Sequence, residues 1–371
     1  MERSTRITRG RRRTPPGRGG HRQEEMGVED ATVTSPVVRE PAMTDVARLA
    51  GVSHQTVSRV LNSHPNVREQ TRLRVLAAVK ELGYRPNRAA RALVTGRSQL
   101  IGVIAQNSTL YGPSSLLAAF EIAAARQGFA VSVHRVPELG QSSITAAVER
   151  HRDERVAGIV VIAPTASADA ALAGVPAEVP LVTIDGDPER GAPMVAVDQE
   201  QGAYEATKHL LEAGHETVWH ISGPPDWFDA AGRIRGWRRA LQEAGAEVPP
   251  VSTGDWSAAS GYRAGQMLAR MPEVTAVFAA NDHQALGALR AMTERGRSVP
   301  EQVSIAGFDD VPESAFYSPP LTTVRQDFGA VATTTLDLLL GLINGAETKG
   351  AQPVITPELV RRESVRPPAG R

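Results

Sequence analysis

The 371-residue chain contains no cysteine. Disulfides and thiolate metal sites are therefore excluded, and a reducing compartment such as the cytoplasm fits. Lysine occurs only at Lys80, Lys208 and Lys349, so arginine carries the positive charge. No apolar run approaches the ~20 residues that a membrane span requires. The N-terminal arginines have no apolar segment behind them, so no secretory leader is expected. A P-loop, a nucleophile elbow and zinc-ligand spacing are all missing, and His209, His215 and His220 fall at helix ends or in strands. No catalytic residue, metal or cofactor is expected.

What is present is an uneven charge distribution. The net charge is zero, yet residues 43–97 hold ten Lys/Arg against three acids, while residues 98–371 hold 22 against 32. A small basic module on a large acidic body reads as a nucleic-acid-binding head attached to something else. Apolar residues make up 41% of the chain, enough for two or three domains with real cores.

Residues 1–42 are rich in Arg, Pro, Gly and Thr without hydrophobic periodicity, and read as a disordered basic tail. Met43 stands directly at the first structured motif, so an extension without a role, or translation starting at Met26 or Met43, is expected, with added non-specific DNA affinity through Arg11, Arg12 and Arg13 as the alternative. Residues 43–85 predict three helices. Thr44 caps the first, with Val46, Leu49 and Ala50 inward and Gly51 as its stop. Ser53 caps the second, which carries Val57, Val60 and Leu61 on one face. The third turns Leu73, Leu76 and Val79 inward. Two short helices around a tight turn, braced by a third, form a helix-turn-helix. Its second helix enters the major groove, so His54, Gln55, Thr56 and Arg59 are the candidate base-reading side chains.

Residues 86–98 predict a short linker helix. From residue 99 to 362, apolar runs (LIGVIA, FAVSVH, GIVVIA, PLVTID, TVWHIS, AVFAA, VSIAGF) alternate with amphipathic stretches. Runs apolar on both faces indicate buried parallel strands, so the body is an α/β protein with doubly wound sheets, long enough for two lobes. Residues 363–371 read as a tail.

The stretches TDVARLAGVSHQTVSRVLN and VREQTRLRVLAAVKELGYRPNRAARAL resemble the headpiece of the LacI/GalR family of transcription regulators. The resemblance continues through DQEQGAYEATKHLLEAGH, R-x-x-G-W, GDWSAASG, ANDHQALGALR, VSIAGFDD and LTTVRQDF. It implies a hinge helix from Asn87 to Leu93 that folds on DNA, with Asn87, Arg88 and Ala90 at the DNA and Leu93 as an apolar wedge in the minor groove. It also implies a two-lobed body of periplasmic-binding-protein type with a ligand in its cleft. Arg233, Asn281, Asp309 and Gln326 fall at the family's ligand positions. Trp256 is the candidate stacking surface, Asp185 and Asp229 are further polar candidates, and Leu110, Pro164 and Phe328 are apolar walls. Two positions depart from the family pattern: Ile162 stands where a polar residue is expected, and Asp229 where a small hydroxyl residue is usual. The implied function is a homodimeric repressor that holds a pseudo-palindromic operator and is released by a small sugar. A nucleobase or nucleoside effector, or a corepressor, is the alternative.

Overall fold

Gly51 sets the geometry of the head. Its φ of 62° closes the first helix, Met43–Ala50, and turns the chain into the second, His54–Leu61. The computed structural model describes residues 41–61, 64–84, 98–176, 178–346 and 350–368. The expected hinge contacts Asn87, Arg88, Ala90 and Leu93, and nearly all of the basic tail, lie outside those residues. The chain divides into two units, residues 1–86 and 87–371.

In the head, a third helix, Glu69–Leu82, braces the first two around Val46, Ala47, Ala50, Val57, Val60, Val75, Ala78 and Tyr84. Two expectations are corrected here. Thr44 is not the N-cap: the helix starts at Met43, Ala42 holds the N-cap position, and Asp45 in the first turn reaches back to accept the Ala42 N–H at 2.9 Å. The expected inward Leu49, Leu73 and Leu76 are 46%, 59% and 46% exposed. The third helix meets its neighbours through Val75 and Ala78, small enough for close approach, and this turns the larger leucines outward.

The body holds two parallel sheets. In the first lobe the strands are β1 (Leu100–Gln106), β2 (Ala130–Val136), β3 (Ile159–Ile162), β4 (Leu181–Ile184), β5 (Met194–Val197) and a late-arriving β11 (Val354–Ile355), ordered β11-β5-β4-β3-β1-β2. Helices Tyr111–Arg126 and Phe328–Ile343 cover one face through Leu116, Phe120, Val331 and Leu336. Helix Gln141–Asp153 covers the other through Ile144 and Val148. In the second lobe β6 (Trp219–Ser222), β7 (Ser252–Thr253), β8 (Ala276–Ala279) and β9 (Ser304–Ala306) are ordered β7-β6-β8-β9. Helices Gln199–Glu212 and Phe228–Glu243 lie on one face, Ala258–Leu268 and Asp282–Glu294 on the other. Strand β10 (Thr323–Arg325) pairs antiparallel with β12 (Glu358–Val360).

The chain passes between lobes three times: after β5, after β10 and after β11. The first passage delivers Gln199 and the second Gln326, both buried. The body also extends past residue 362, where a tail was expected. Ser364 is fully buried; its hydroxyl donates to the Ile305 carbonyl at 2.6 Å and accepts the Thr322 N–H at 2.8 Å. Those bonds satisfy an edge of the second sheet that would otherwise be left open.

Candidate ligand cleft and DNA-reading helix

The carboxyl ends of both sheets face one cleft, the position at which doubly wound sheets bind ligands. All ten cleft residues singled out in the sequence line it, in two adjoining spaces of about 400 and 310 Å³. Most follow a strand: Pro164 after β3, Asp185 after β4, Trp256 after β7, Asn281 after β8, Asp309 after β9 and Gln326 after β10. Three adopt left-handed backbone, Asp185 at φ 62°, Trp256 at 68° and Asp309 at 107°. Such conformations cost on the order of 1–3 kcal/mol each and persist where the surrounding structure holds them, often at functional sites.

At the centre stands Arg233, on helix Phe228–Glu243 and 2% exposed. Its Nε donates to Gln199 Oε1 at 2.9 Å. Gln199 Nε2 donates to Gln326 Oε1 at 3.0 Å, and Gln326 Nε2 donates to Asp309 Oδ1 at 2.7 Å. Asp309 Oδ1 returns to Arg233 Nη2 at 3.5 Å, closing a four-membered ring. Arg233 Nη1 donates to the Ala280 carbonyl, and Nη2 lies 3.7 Å from Asp229 Oδ2. Its guanidinium carbon sits 3.8 Å from the Phe308 ring centroid and 5.3 Å from that of Trp256. A planar fork that is always charged suits this combined stacking and bidentate duty, which an ammonium cannot perform.

The electrostatics are lopsided. Three carboxyls, Asp185, Asp229 and Asp309, face one guanidinium. Burial pushes Asp185 well above the usual carboxylate range, with the charge of Asp229 adding to the rise and Arg233 opposing it. Burial likewise raises Asp229 against the pull of Arg233. Asp309 is raised to about 6 by burial, opposed first by Arg233. Asp229 Oδ1 and Trp256 Nε1 are buried without any hydrogen-bond partner among the described residues. An unpaired buried acceptor or donor costs about 1–3 kcal/mol, which a ligand that bonds it recovers.

The residues do not all play the parts the sequence implied. Trp256 is only 5% exposed and meets Trp227 edge-on at 5.5 Å, so it walls the cleft and offers little open ring face. Asn281 caps helix Asp282–Glu294, its Oδ1 accepting the Gln284 N–H at 2.8 Å while its Nδ2 donates to the Trp256 carbonyl at 3.1 Å. It therefore holds Trp256 in its strained conformation. Phe328 packs edge-on against Tyr111 at 6.1 Å. Several lining residues went unmarked in the sequence reading, Gln199 and Trp227 among them. Gln199 ends the first passage between lobes, and Trp227 lies in the loop before helix Phe228–Glu243. That loop also ties the lobes together: Phe228 N–H donates to the Pro164 carbonyl at 3.0 Å, and Ala166 N–H to the Asp226 carbonyl at 3.1 Å.

In the head, His54, Gln55 and Arg59 are exposed on the second helix. Thr56 is half-buried; its N–H donates to Ser53 Oγ at 3.2 Å and the two hydroxyls are 2.9 Å apart. This N-cap starts the second helix and ties up the Thr56 hydroxyl.

A helix-turn-helix joined to a two-lobed body of binding-protein type defines a DNA-binding regulator. Residues 42–87 match the bacterial regulatory proteins of the lacI family, and residues 207–365 match the periplasmic binding protein-like domain. The lactose operon repressor of Escherichia coli (strain K12) is 38% identical over 328 residues, covering 87% of this chain and 90% of that one. The crystal structure of the lac repressor dimer bound to operator and the anti-inducer ONPF superposes with a TM-score of 0.80 at 35% identity, covering 88% of this chain and 100% of that chain. The transcriptional regulator CelR–cellobiose complex gives a TM-score of 0.65 at 32% identity, covering 87% and 99%. The chain belongs to the lacI family and is a DNA-binding transcriptional repressor of that family. Among the described residues no helix is long and apolar enough to cross a membrane.

Proposed function

We propose that the protein is an operator-bound repressor, acting in the cytoplasm, that is released by a small uncharged sugar held in the Arg233 cleft. The observation that carries this reading is the charge balance of the cleft. Three carboxyls face one guanidinium, and Asp229 Oδ1 and Trp256 Nε1 have no hydrogen-bond partner among the described residues. A sugar hydroxyl both donates and accepts, so neighbouring hydroxyls satisfy carboxylate and indole together. A phosphate or carboxylate ligand would bring its charge against three buried carboxyls with one guanidinium to balance it. The likeness to a lactose operon repressor and to a regulator complexed with cellobiose supports a saccharide.

On this reading Arg233, Asp185, Asp229, Asp309 and Gln326 bind hydroxyls, with Leu110, Pro164, Trp256 and Phe328 as apolar walls and Asn281 holding Trp256. His54, Gln55 and Arg59 read base edges, Thr56 presents its methyl to a thymine, and residues 86–98, through Asn87, Arg88, Ala90 and Leu93, engage the minor groove. Two copies bind a pseudo-palindromic operator as a homodimer. Ligand and operator then compete through coupling of about 1–3 kcal/mol. The test is sugar titration followed by tryptophan fluorescence, with and without operator DNA. Weaker sugar binding in the presence of operator is expected; identical affinities would overturn the induction mechanism.

A further inference from the structure

Away from the cleft, on the face of the first sheet covered by helix Gln141–Asp153, two histidines and a glutamate converge. His134 projects from β2, His151 from the last turn of that helix, and Glu154 follows its end. One ligand atom from each lies within 4.8 Å of the others. His134 Nδ1 and His151 Nε2 are 3.2 Å apart, His151 Nδ1 and Glu154 Oε2 3.5 Å, and His134 Nε2 and Glu154 Oε1 3.8 Å. Ser132 Oγ donates to Glu154 Oε2 at 2.6 Å and so orients the carboxylate from behind. His151 is 0% exposed, yet its Nδ1 has no hydrogen-bond partner among the described residues. The ring occupies this place because β1 carries Gly102 beneath it: a Cβ there would lie 2.7 Å from the His151 ring.

We propose that His134, His151 and Glu154 bind a divalent transition-metal ion, zinc foremost. Zinc takes imidazole nitrogen and carboxylate oxygen at about 2.0–2.2 Å, so tetrahedral donors stand roughly 3.3–3.5 Å apart. With one nitrogen from each ring and one Glu154 oxygen the three donors lie within 4.8 Å of one another, somewhat wider than that length, so the partly exposed His134 and the exposed Glu154 rotate inward to close on the ion. Two imidazoles and one carboxylate form a set that favours zinc over magnesium or calcium, which prefer all-oxygen shells. The ion fastens the edge strand β2 to the end of helix Gln141–Asp153 and gives the orphaned His151 Nδ1 a bond. Sequence spacing conceals the site, because His134 and His151 belong to different elements.

The test uses the full chain stripped with chelator, then titrated with cobalt(II) and with zinc. Cobalt should give the intense visible bands of a tetrahedral site at one equivalent, and zinc should raise the thermal midpoint. His134→Ala and Glu154→Gln leave the buried His151 in place and should keep the metal-free midpoint. Each should weaken zinc binding by on the order of 100-fold, remove the cobalt bands and abolish the zinc-dependent shift. An unshifted wild-type midpoint, or the same shift in both variants, would overturn the assignment.

Discussion

Gln199 and Gln326 meet at 3.0 Å where two of the three passages between the lobes lie side by side. Each also holds one member of the Arg233–Asp309 pair. The hinge of the body and the floor of its cleft are thus one hydrogen-bonded unit, and a ligand that pulls on Arg233 or Asp309 pulls on the passages themselves. This is a physical route by which cleft occupancy reaches the lobe arrangement.

Gln199→Ala leaves Arg233 Nε and Gln326 Oε1 buried without these partners. We expect the body to lose about 1–3 kcal/mol in urea denaturation. A variant as stable as the wild type would show that the ring does not brace the hinge.

Arg233→Lys preserves the charge and discards the fork. Lysine cannot serve Gln199, Ala280 and Asp309 together, so effector affinity should drop at least about tenfold, or 1.4 kcal/mol. Operator affinity without effector should stay at the wild-type value, as measured by anisotropy of labelled DNA. A variant that still releases DNA at wild-type sugar concentrations would remove Arg233 from ligand recognition.

Asp309 gives the cleft a pH dependence of defined sign. Its folded pKa is raised to about 6, above the unfolded value of about 3.9. Its contribution to stability is therefore complete below about pH 4 and lost as the pH rises through about 6. Ligand binding runs the other way, because only the ionised carboxylate accepts hydroxyl hydrogen bonds on both oxygens. Sugar affinity should fall as the pH drops from about 7 to about 5. Asp309→Asn should bind more weakly and flatten this profile, which isothermal titration at several pH values would reveal.

In the head, Gln55→Ala and Arg59→Ala should each weaken operator binding by about 1–3 kcal/mol and relax preference at one base pair. Ser53→Ala removes the cap of the reading helix, costing about 1 kcal/mol of head stability. A uniform loss of affinity for all DNA sequences on changing Gln55 would place that residue against the backbone instead of a base.

Much of this fold was legible because long-range features leave local marks. Apolar runs such as GIVVIA mark strands buried on both faces, and Gly51 marks a turn whatever surrounds it. The residues that line the cleft were reached through the family resemblance, whose motifs carry them. Gln199 escaped because a glutamine at a helix start looks like any solvated polar residue; only the passage between lobes buries it. Trp227 escaped because its loop lies beside the other lobe only after folding. The outward Leu49, Leu73 and Leu76 were misjudged for a related reason. Three short helices bury few positions, and the stripe that wins is the one whose small residues permit close packing, which periodicity does not rank. The His134–His151–Glu154 cluster was illegible because its members meet only when a strand and a helix end pack together.

The central claim is that a neutral sugar in the Arg233 cleft releases DNA held by the head. Its most direct test is fluorescence anisotropy of a labelled fragment from upstream of the protein's own gene, bound to the full chain and challenged with neutral sugars, sugar phosphates and nucleosides. The account predicts tight binding that one neutral saccharide reverses, with the corresponding sugar phosphate inactive. Release by a nucleoside or a phosphorylated sugar alone, or DNA binding that appears only when ligand is added, would contradict it.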